Sequence, residues 1–280
     1  MAEIKIRVFH TGTVCVAPAL PFGGDHCNVL QASGLLTPKS DRLWLPVSSY
    51  LIEHPRGLVL VDAGWSRSMS PHGIEDRRAQ IRSLGSWILY KVNQGVVPLG
   101  ACVDEQLAKL GVRPSDLVAV LITHLDCDHA NGLAALRGAP RILVSHDELR
   151  FARRHRVRYS PKWWRDVELE TFDWTGALGP VGRSFDLFGD GSIELINIPG
   201  HSDGLFAVQI TNDSGRFVLL VSDGGYAARS WREMIMPGIA SNRELQRLSL
   251  AWIKERSEEP LNVATLANHD PEIEPMEIDL

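Results

Sequence analysis

Short apolar runs separated by turn residues recur along the whole chain and predict a protein rich in β-strands. Residues 4–9 alternate apolar and polar side chains, which is typical of a half-buried strand. Other runs are almost continuously apolar, as expected for strands buried on both faces. We predict further strands at 47–53, 57–64, 117–123, 141–145, 193–198, 205–210, 217–222 and 261–267.

Helical periodicity appears between these runs. The segments predicted as helices are 103–110, 130–137, 146–155 and 242–256. In the last of them Leu245, Leu248 and Trp252 recur on one face, so we expect that face to pack on the core. Because strands and helices are interleaved, the chain is predicted to have a mixed α/β fold.

Composition narrows the class of protein. The 280 residues are 44% hydrophobic and 22% charged, which is ordinary for a globular protein, and no repeat or linker divides them, so we expect a single domain over 1–280. A net charge of −5, with acids and bases mixed, argues against nucleic-acid binding. No apolar run is long enough for a membrane helix, and the start of the chain reads as a strand, so we expect a cytoplasmic protein without membrane contact.

Polar side chains follow several of the predicted strands directly. Asp62, His124, Asp223 and His269 each come just after an apolar run, and His201 follows another after a Pro-Gly pair. Side chains at the ends of neighbouring strands can converge at one edge of a sheet, where ligand sites usually lie in α/β folds.

Histidines and aspartates in this pattern predict a metal site. The segment from His124 to His129 holds four potential ligands in six residues. Imidazoles and carboxylates together suit zinc, iron or manganese. Three more candidates follow other strands, which gives three carboxylates and four imidazoles, enough for two ions with one bridging carboxylate. The full predicted set is His124, Asp126, Asp128, His129, His201, Asp223 and His269.

The order HxDxDH, GH, D, H resembles the metallo-β-lactamase superfamily, whose usual first motif is HxHxDH. VLVDAG around Asp62 is similar to that superfamily too. Within it, the segments LWLPVSSYLIEHPRGLVLVDAG and LGVRPSDLVAVLITHLDCDHANG, and the Asp-x-x-Tyr spacing from Asp223 to Tyr226, resemble the N-acyl-homoserine lactonases. This resemblance implies an αβ/βα sandwich, in which two mixed β-sheets are flanked by helices.

The resemblance also implies a division of the ligands between two divalent metal ions. His124, Asp126 and His201 would hold one ion, Asp128, His129 and His269 the other, and Asp223 would bridge them. Zinc is the metal we expect. Asp126 stands where the family usually has histidine, however, and a harder oxygen ligand shifts preference toward iron or manganese.

Two residues are predicted to act in catalysis. Asp128 would orient a hydroxide bound between the metals, and Tyr226 would donate a hydrogen bond to the carbonyl or the leaving oxygen. For Asp62 we favour a structural role behind the ligands over direct ligation.

The predicted function is hydrolysis of a lactone or related ester, with an N-acyl-homoserine lactone as the suggested substrate. Three alternatives remain: a glyoxalase II-like thioesterase, a phosphodiesterase, and a non-catalytic metal-bound signalling or binding module. The expected partner is a small-molecule lactone or ester, with a homodimer left open. Segment 65–100 could form a lid or a dimer contact, and 150–175 a wall of an apolar pocket or a solvated helix.

Overall fold

The computed structural model describes residues 4–280 and shows strands at the predicted places. The strands are β1 (Lys5–Val16), β2 (Leu43–His54), β3 (Gly57–Val61), β4 (Gln94–Val96), β5 (Leu117–Leu121), β6 (Ile142–Ser145), β7 (Glu170–Phe172), β8 (Ser184–Asp186), β9 (Ile193–Asn197), β10 (Phe206–Thr211), β11 (Phe217–Leu220), β12 (Asn262–Leu266) and β13 (Glu277–Asp279). β1 and β2 extend well beyond the predicted segments because they pair with each other along most of their length.

Most helices are short and join the strands. They are α1 (Ala19–Phe22), α2 (Val29–Ser33), α3 (Arg77–Leu84), α4 (Trp87–Val92), α5 (Val103–Lys109), α6 (Cys127–Ala130), α7 (His146–Arg154), α8 (Ala228–Arg232) and α9 (Arg243–Ser257). The prediction of an α-helix over 130–137 is wrong. The helix α6 begins earlier and ends at Ala130, and residues 131–136 form a 3₁₀ helix.

Two sheets organise the described chain. The first has the order β13-β1-β2-β3-β5-β6-β7, with β4 also paired to β1, and the second has the order β12-β11-β10-β9-β8. Both are mixed, since β3, β5, β6 and β7 run parallel within an otherwise antiparallel first sheet, and β11 and β12 are parallel in the second. The predicted fold, two mixed sheets flanked by helices, is confirmed.

Alternating side chains of the strands form successive layers of core. In β5, Val120 faces the helices outside the first sheet, while Ala119 and Leu121 face the second sheet. On the far side of the second sheet, Leu219 packs with Ile253 of α9. Each sheet is therefore covered on both faces, which explains why so many strands read as continuous apolar runs.

The buried face of α9 differs from the prediction. Leu248 is exposed, and the helix instead buries Gln246 and Ser249 together with Leu250 and Ile253. Gln246 donates to the carbonyl of Gly224, and Ser249 donates to that of Pro199. The hydrophobic periodicity missed this face because half of it is polar and bonds to loops rather than packing in the core.

The loops that follow the strands meet at one edge of the sandwich. The parallel strands β3 and β5 end there, as do β11 and β12 of the second sheet. Within residues 4–280, no helix combines the length and apolar character needed to span a bilayer.

Candidate metal centre

The seven predicted ligands come together at this edge, four of them from the segment that follows β5 and three from separate loops. His124 follows β5, Asp126 caps α6, and Asp128 and His129 lie on that helix. The other three lie in the loop between β9 and β10, in the 3₁₀ turn after β11, and just after β12; they are His201, Asp223 and His269. Every one except Asp126 is buried.

The seven candidate ligands form two sets, and the first consists of His124, Asp126, His201 and Asp223. Asp126 Oδ2 lies 3.3 Å from His124 Nε2 and 2.8 Å from His201 Nε2. Asp223 Oδ2 lies 3.7 Å and 3.6 Å from the same two nitrogens. Donor atoms around one tetrahedral zinc ion lie roughly 3.3 Å apart, so the spacing suits a single ion.

The second set consists of Asp128, His129 and His269. His269 Nε2 lies 3.5 Å from Asp128 Oδ2 and 3.2 Å from Asp223 Oδ1, and His129 Nε2 lies 3.3 Å from that same oxygen. Asp223 therefore presents one carboxylate oxygen to each set, as a bridging ligand would.

Unsatisfied buried atoms support a metal at this place. His124 Nε2, His129 Nε2 and Asp223 Oδ1 are buried and have no hydrogen-bond partner. A buried polar atom without a partner costs free energy, so an arrangement that aims several of them at one point calls for a ligand there. Neutral imidazole nitrogens and carboxylate oxygens are donors for divalent metal ions.

A cavity opens directly onto the two sets. Its volume is about 660 Å³. Asp126, Asp128, His201, Asp223 and His269 lie at its polar end. Much of the remaining wall is apolar and includes Val14, Val16, Leu20, Leu45, Phe151 and Ile239. A mostly apolar pocket with a few converging polar groups is typical of a small-molecule site.

Residues 42–235, more than half of the chain, match the metallo-beta-lactamase superfamily. This chain belongs to that superfamily. The match covers six of the seven predicted ligands, all except His269.

Relatives within the superfamily include lactonases. The N-acyl homoserine lactonase AttM of Agrobacterium fabrum is 25% identical over 237 residues, covering 81% of this chain and 83% of AttM. A crystal structure of a variant of Bacillus thuringiensis AiiA, with N-decanoyl-L-homoserine bound at the active site, superposes with a TM-score of 0.75 at 21% identity, covering 97% and 95% of the two chains. AidC, a dizinc quorum-quenching lactonase, superposes with a TM-score of 0.64 at 14% identity, covering 97% and 89%.

Behind the predicted ligands, Asp62 bonds to residues of several loops. Its carboxylate accepts hydrogen bonds from Thr123 and from the side-chain amide of Asn268, and Oδ2 lies 2.8 Å from His129 Nδ1. Asp62 thus contacts the far nitrogen of a predicted ligand and belongs to neither ligand set. A carboxylate in this position fixes the tautomer and the direction of the imidazole.

Two further residues, Pro46 and Glu148, support the predicted ligands. His269 Nδ1 lies 2.8 Å from the carbonyl oxygen of Pro46, which leaves Nε2 to face Asp223. Buried Glu148 accepts from the backbone N–H of Leu125 and from the hydroxyl of Ser202, so it joins the loops that carry His124 and His201. Burial raises the pKa of Glu148.

Asp126 has a partner that the sequence analysis missed. Arg158 donates from Nε to Oδ1 at 2.7 Å and from Nη2 to Oδ2, and Nη2 also lies 2.6 Å from His201 Nε2. Burial opposes the ionisation of Asp126, but the charge and hydrogen bonds of Arg158 hold its pKa well below the usual range. Burial and the same guanidinium lower the pKa of His201 to about 4.

The segment 150–175 divides between the two interpretations left open for it. Phe151 and residues 154–158 line the cavity, so this part is a wall of the pocket. Trp163 is buried against the body of the protein, where its Nε1 donates to the carbonyl of Ser83. In segment 65–100, Ile88 and neighbouring residues of α4 line the same cavity.

Tyr226 lies in the wall of the cavity, beside the second set of candidate ligands. It lines the cavity and stacks on His269, with ring centroids 5.4 Å apart. Burial, together with the charges of Asp223 and Asp126, raises its pKa well above the usual value. Tyr226 therefore stays protonated at neutral pH and can donate a hydrogen bond.

Proposed function

We propose that this protein hydrolyses N-acyl homoserine lactones or closely related lactones. The observation that carries the proposal is the cavity itself: the two sets of proposed ligands lie at its polar end, and the apolar side chains of the remaining wall offer a surface for an acyl chain. The similarity to AttM and to a structure with N-decanoyl-L-homoserine bound supports the same substrate class.

The seven side chains are proposed as ligands in the two sets described above, with Asp223 shared. A pair of divalent ions held there would supply a water of lowered pKa and would polarise the lactone carbonyl. Zinc is proposed for both ions, supported by the histidine-rich donor sets and by the dizinc composition of AidC. We also propose a cytoplasmic location, in keeping with four free cysteine thiols.

Asp128 and Tyr226 have separate roles in the proposed reaction. Asp128 orients the attacking water and accepts its proton as the oxygen bonds to the carbonyl carbon. Tyr226 donates a hydrogen bond to the carbonyl oxygen, where negative charge develops. The bond between the carbonyl carbon and the ring oxygen then breaks, and the proton held by Asp128 passes to the leaving alkoxide. The product is an N-acyl homoserine with a free hydroxyl and a carboxylate.

Ring opening releases acid, so a pH-stat measures it directly. We expect protein of known metal content to open N-acyl homoserine lactones faster than thioesters or phosphodiesters. Because each buried methylene contributes about 0.8 kcal/mol, KM should fall as the acyl chain lengthens until the cavity is full. Faster cleavage of a thioester or a phosphodiester would move the protein to one of those classes.

A pair of histidine variants tests the ligand assignment. His269→Ala should lose bound metal and turnover together, because it removes a donor from the second set. His146→Ala is the matched control, since this exposed histidine lies outside both sets, beside Asp173. Full metal content and turnover in His269→Ala would contradict the assignment. Stable metal binding with no turnover of any ester would instead indicate a binding module.

A further inference from the structure

The two ligand sets differ in their surroundings. In the first set, Nε and Nη2 of Arg158 donate to the two oxygens of the Asp126 carboxylate. In the second set, no arginine or lysine of residues 4–280 forms an ion pair with Asp128, whose Oδ2 lies 3.5 Å from His269 Nε2. A fixed positive charge therefore stands beside one proposed metal position and not beside the other.

The position of Arg158 goes beyond support of Asp126. Its Nη2 bonds Oδ2, the Asp126 oxygen that faces His124 and His201, and also lies 2.6 Å from His201 Nε2. An imidazole nitrogen has one lone pair, so Nε2 cannot accept a hydrogen bond and coordinate a metal at once. A metal in the first set must displace Arg158 from His201.

The local fold holds Arg158 in this position. The third nitrogen, Nη1, donates to the carbonyl oxygen of His201 at 3.0 Å, and the guanidinium lies over the ring of Tyr159, 5.0 Å from its centroid. Arginine remains charged at any pH at which the protein is folded. The competing cation is therefore permanent and anchored by contacts that do not depend on metal.

We propose that Arg158 competes with metal for Asp126 and His201 and so makes the two sites unequal. The Asp128, His129, His269 and Asp223 site binds one divalent ion tightly, and the Asp126 site binds its ion weakly and second. This inference rests on the proposed ligand sets and concerns the loading of the same centre. Without metal, the positive guanidinium of Arg158 neutralises the Asp126 carboxylate, which a metal ion would otherwise do.

If Arg158 supported metal binding instead of competing with it, removal of Arg158 would change the metal affinity in the opposite direction. If Arg158 only oriented Asp126 for coordination, its removal would weaken the first site, as removal of supporting residues does at other metal centres. Under competition, its removal strengthens that site. The sign of the change in affinity separates the two.

The experiment is equilibrium dialysis of the full-length protein against zinc buffers of stepped free concentration, with bound metal counted by elemental analysis. Wild type should bind one equivalent tightly and a second in a separate, weaker step. Arg158→Met should tighten the second equivalent by about 10- to 100-fold, the range over which residues behind metal ligands act. The first equivalent should be unchanged. Cobalt(II) absorption would report the coordination of each step independently.

Arg156→Met is the matched control. Arg156 lines the same cavity and carries the same charge, but it bonds the carbonyl of Arg153 rather than a proposed ligand. It should leave both steps within about threefold of wild type, a shift of the size expected for a distant screened charge. If Arg156→Met and Arg158→Met changed the affinity for the second equivalent equally, the change would come from the loss of any nearby positive charge. That outcome would overturn the proposal that Arg158 competes with the metal.

Circular dichroism would show whether Arg158→Met is folded. If it is not, two more variants test the same proposal. Arg158→Lys keeps the charge but cannot bridge both Asp126 oxygens, so it should give an intermediate second step. Asp126→His combined with Arg158→Met should bind two equivalents with similar affinity.

Equal tight binding of two equivalents by wild type, or weaker binding in the Arg158 variants, would overturn the inference. Neither result depends on whether lactones are hydrolysed, so failure of the proposed function would be seen separately in the pH-stat.

Discussion

At the scale of single residues, the site depends on which atom of each side chain is left free. Asp223 offers one oxygen to each ligand set, and His129 and His269 turn their Nε2 atoms inward because Asp62 and the Pro46 carbonyl occupy the opposite nitrogens. A buried imidazole with one nitrogen engaged has a fixed tautomer and a fixed direction. The geometry of the site is therefore determined as much by the residues behind the ligands as by the ligands themselves.

Tyr226→Phe removes only the hydroxyl that faces the cavity. We expect kcat for lactone hydrolysis to fall by about 100-fold, the lower end of the effect of losing one oxyanion donor. Bound metal should remain at the wild-type level, because Tyr226 belongs to neither ligand set. Elemental analysis alongside pH-stat kinetics measures both quantities, and unchanged kcat would remove Tyr226 from the mechanism.

Asp62→Ala tests the support behind His129. The substitution leaves His129 Nδ1 and the Thr123 N–H without their acceptor. We expect zinc affinity to fall by about 10- to 100-fold. Asp62→Asn is the control, because asparagine also tolerates the left-handed backbone at this position, where φ is 62°, and keeps one acceptor oxygen. Its zinc affinity should fall less, and an identical fall in both variants would point to the carboxylate charge instead.

At the scale of elements, the loops at the strand ends aim the ligands, and α9 fixes two of these loops. Its polar residues Gln246 and Ser249 bond the carbonyls of Gly224 and Pro199, which adjoin Asp223 and the turn before His201. The helix thus joins both sides of the first ligand set. This accounts for the polar residues on its buried face.

Gly200→Ala tests the close approach of that turn to α9. Gly200 has φ of +136°, and an added Cβ would lie 2.3 Å from the Gln246 backbone. We expect the free energy of unfolding to fall by about 3 kcal/mol, from backbone strain and the displaced contact together. Zinc affinity should fall as well, because His201 is the next residue.

Gly111→Ala separates the effect of backbone strain from the effect of the displaced contact on the free energy of unfolding. Gly111 also has a positive φ, +74°, but nothing lies within 4 Å of an added Cβ. It should lose only about 1 kcal/mol, from backbone strain alone. Chemical denaturation of both variants gives the comparison, and equal losses would show that the contact with α9 contributes little.

At the scale of the whole molecule, the two sheets pack face to face through a shared apolar layer. Phe206 of the second sheet is fully buried and meets Phe172 of the first, with ring centroids 5.6 Å apart. The proposed ligands come from loops of both sheets, so the relative position of the sheets determines the distances between these ligands.

Phe206→Ala tests whether residues 1–280 form the single domain predicted from the sequence. We expect a loss of about 3–5 kcal/mol in the free energy of unfolding. Tryptophan fluorescence and far-ultraviolet circular dichroism should shift together, because one domain unfolds in one transition. Leu248→Ala is the control on exposed surface and should change stability by no more than about 0.5 kcal/mol. Two separate transitions would show that the sheets unfold independently.

Local sequence was enough to find the longer strands and to list the seven residues that the structure brings together. It missed β4, β7, β8 and β13, which are only three residues long. β5 was recognisable because both of its faces are apolar, and His124 was notable because it follows that run. It was not enough for α9, whose buried face contains Gln246 and Ser249. Periodicity reports apolar surface, and it has no signal for polar side chains that bond to distant loops.

The sequence by itself determined the chemical kinds of donor at the metal centre and their order along the chain, because these follow from residue types next to apolar strands. Only the tertiary structure decided which charges neighbour those donors. Arg158 is separated from Asp126 by 32 residues and lies in a basic run that could equally have faced solvent. Its contact with Asp126 and His201 arises from the folding of the chain over the site, and no local pattern encodes a pairing between loops so far apart.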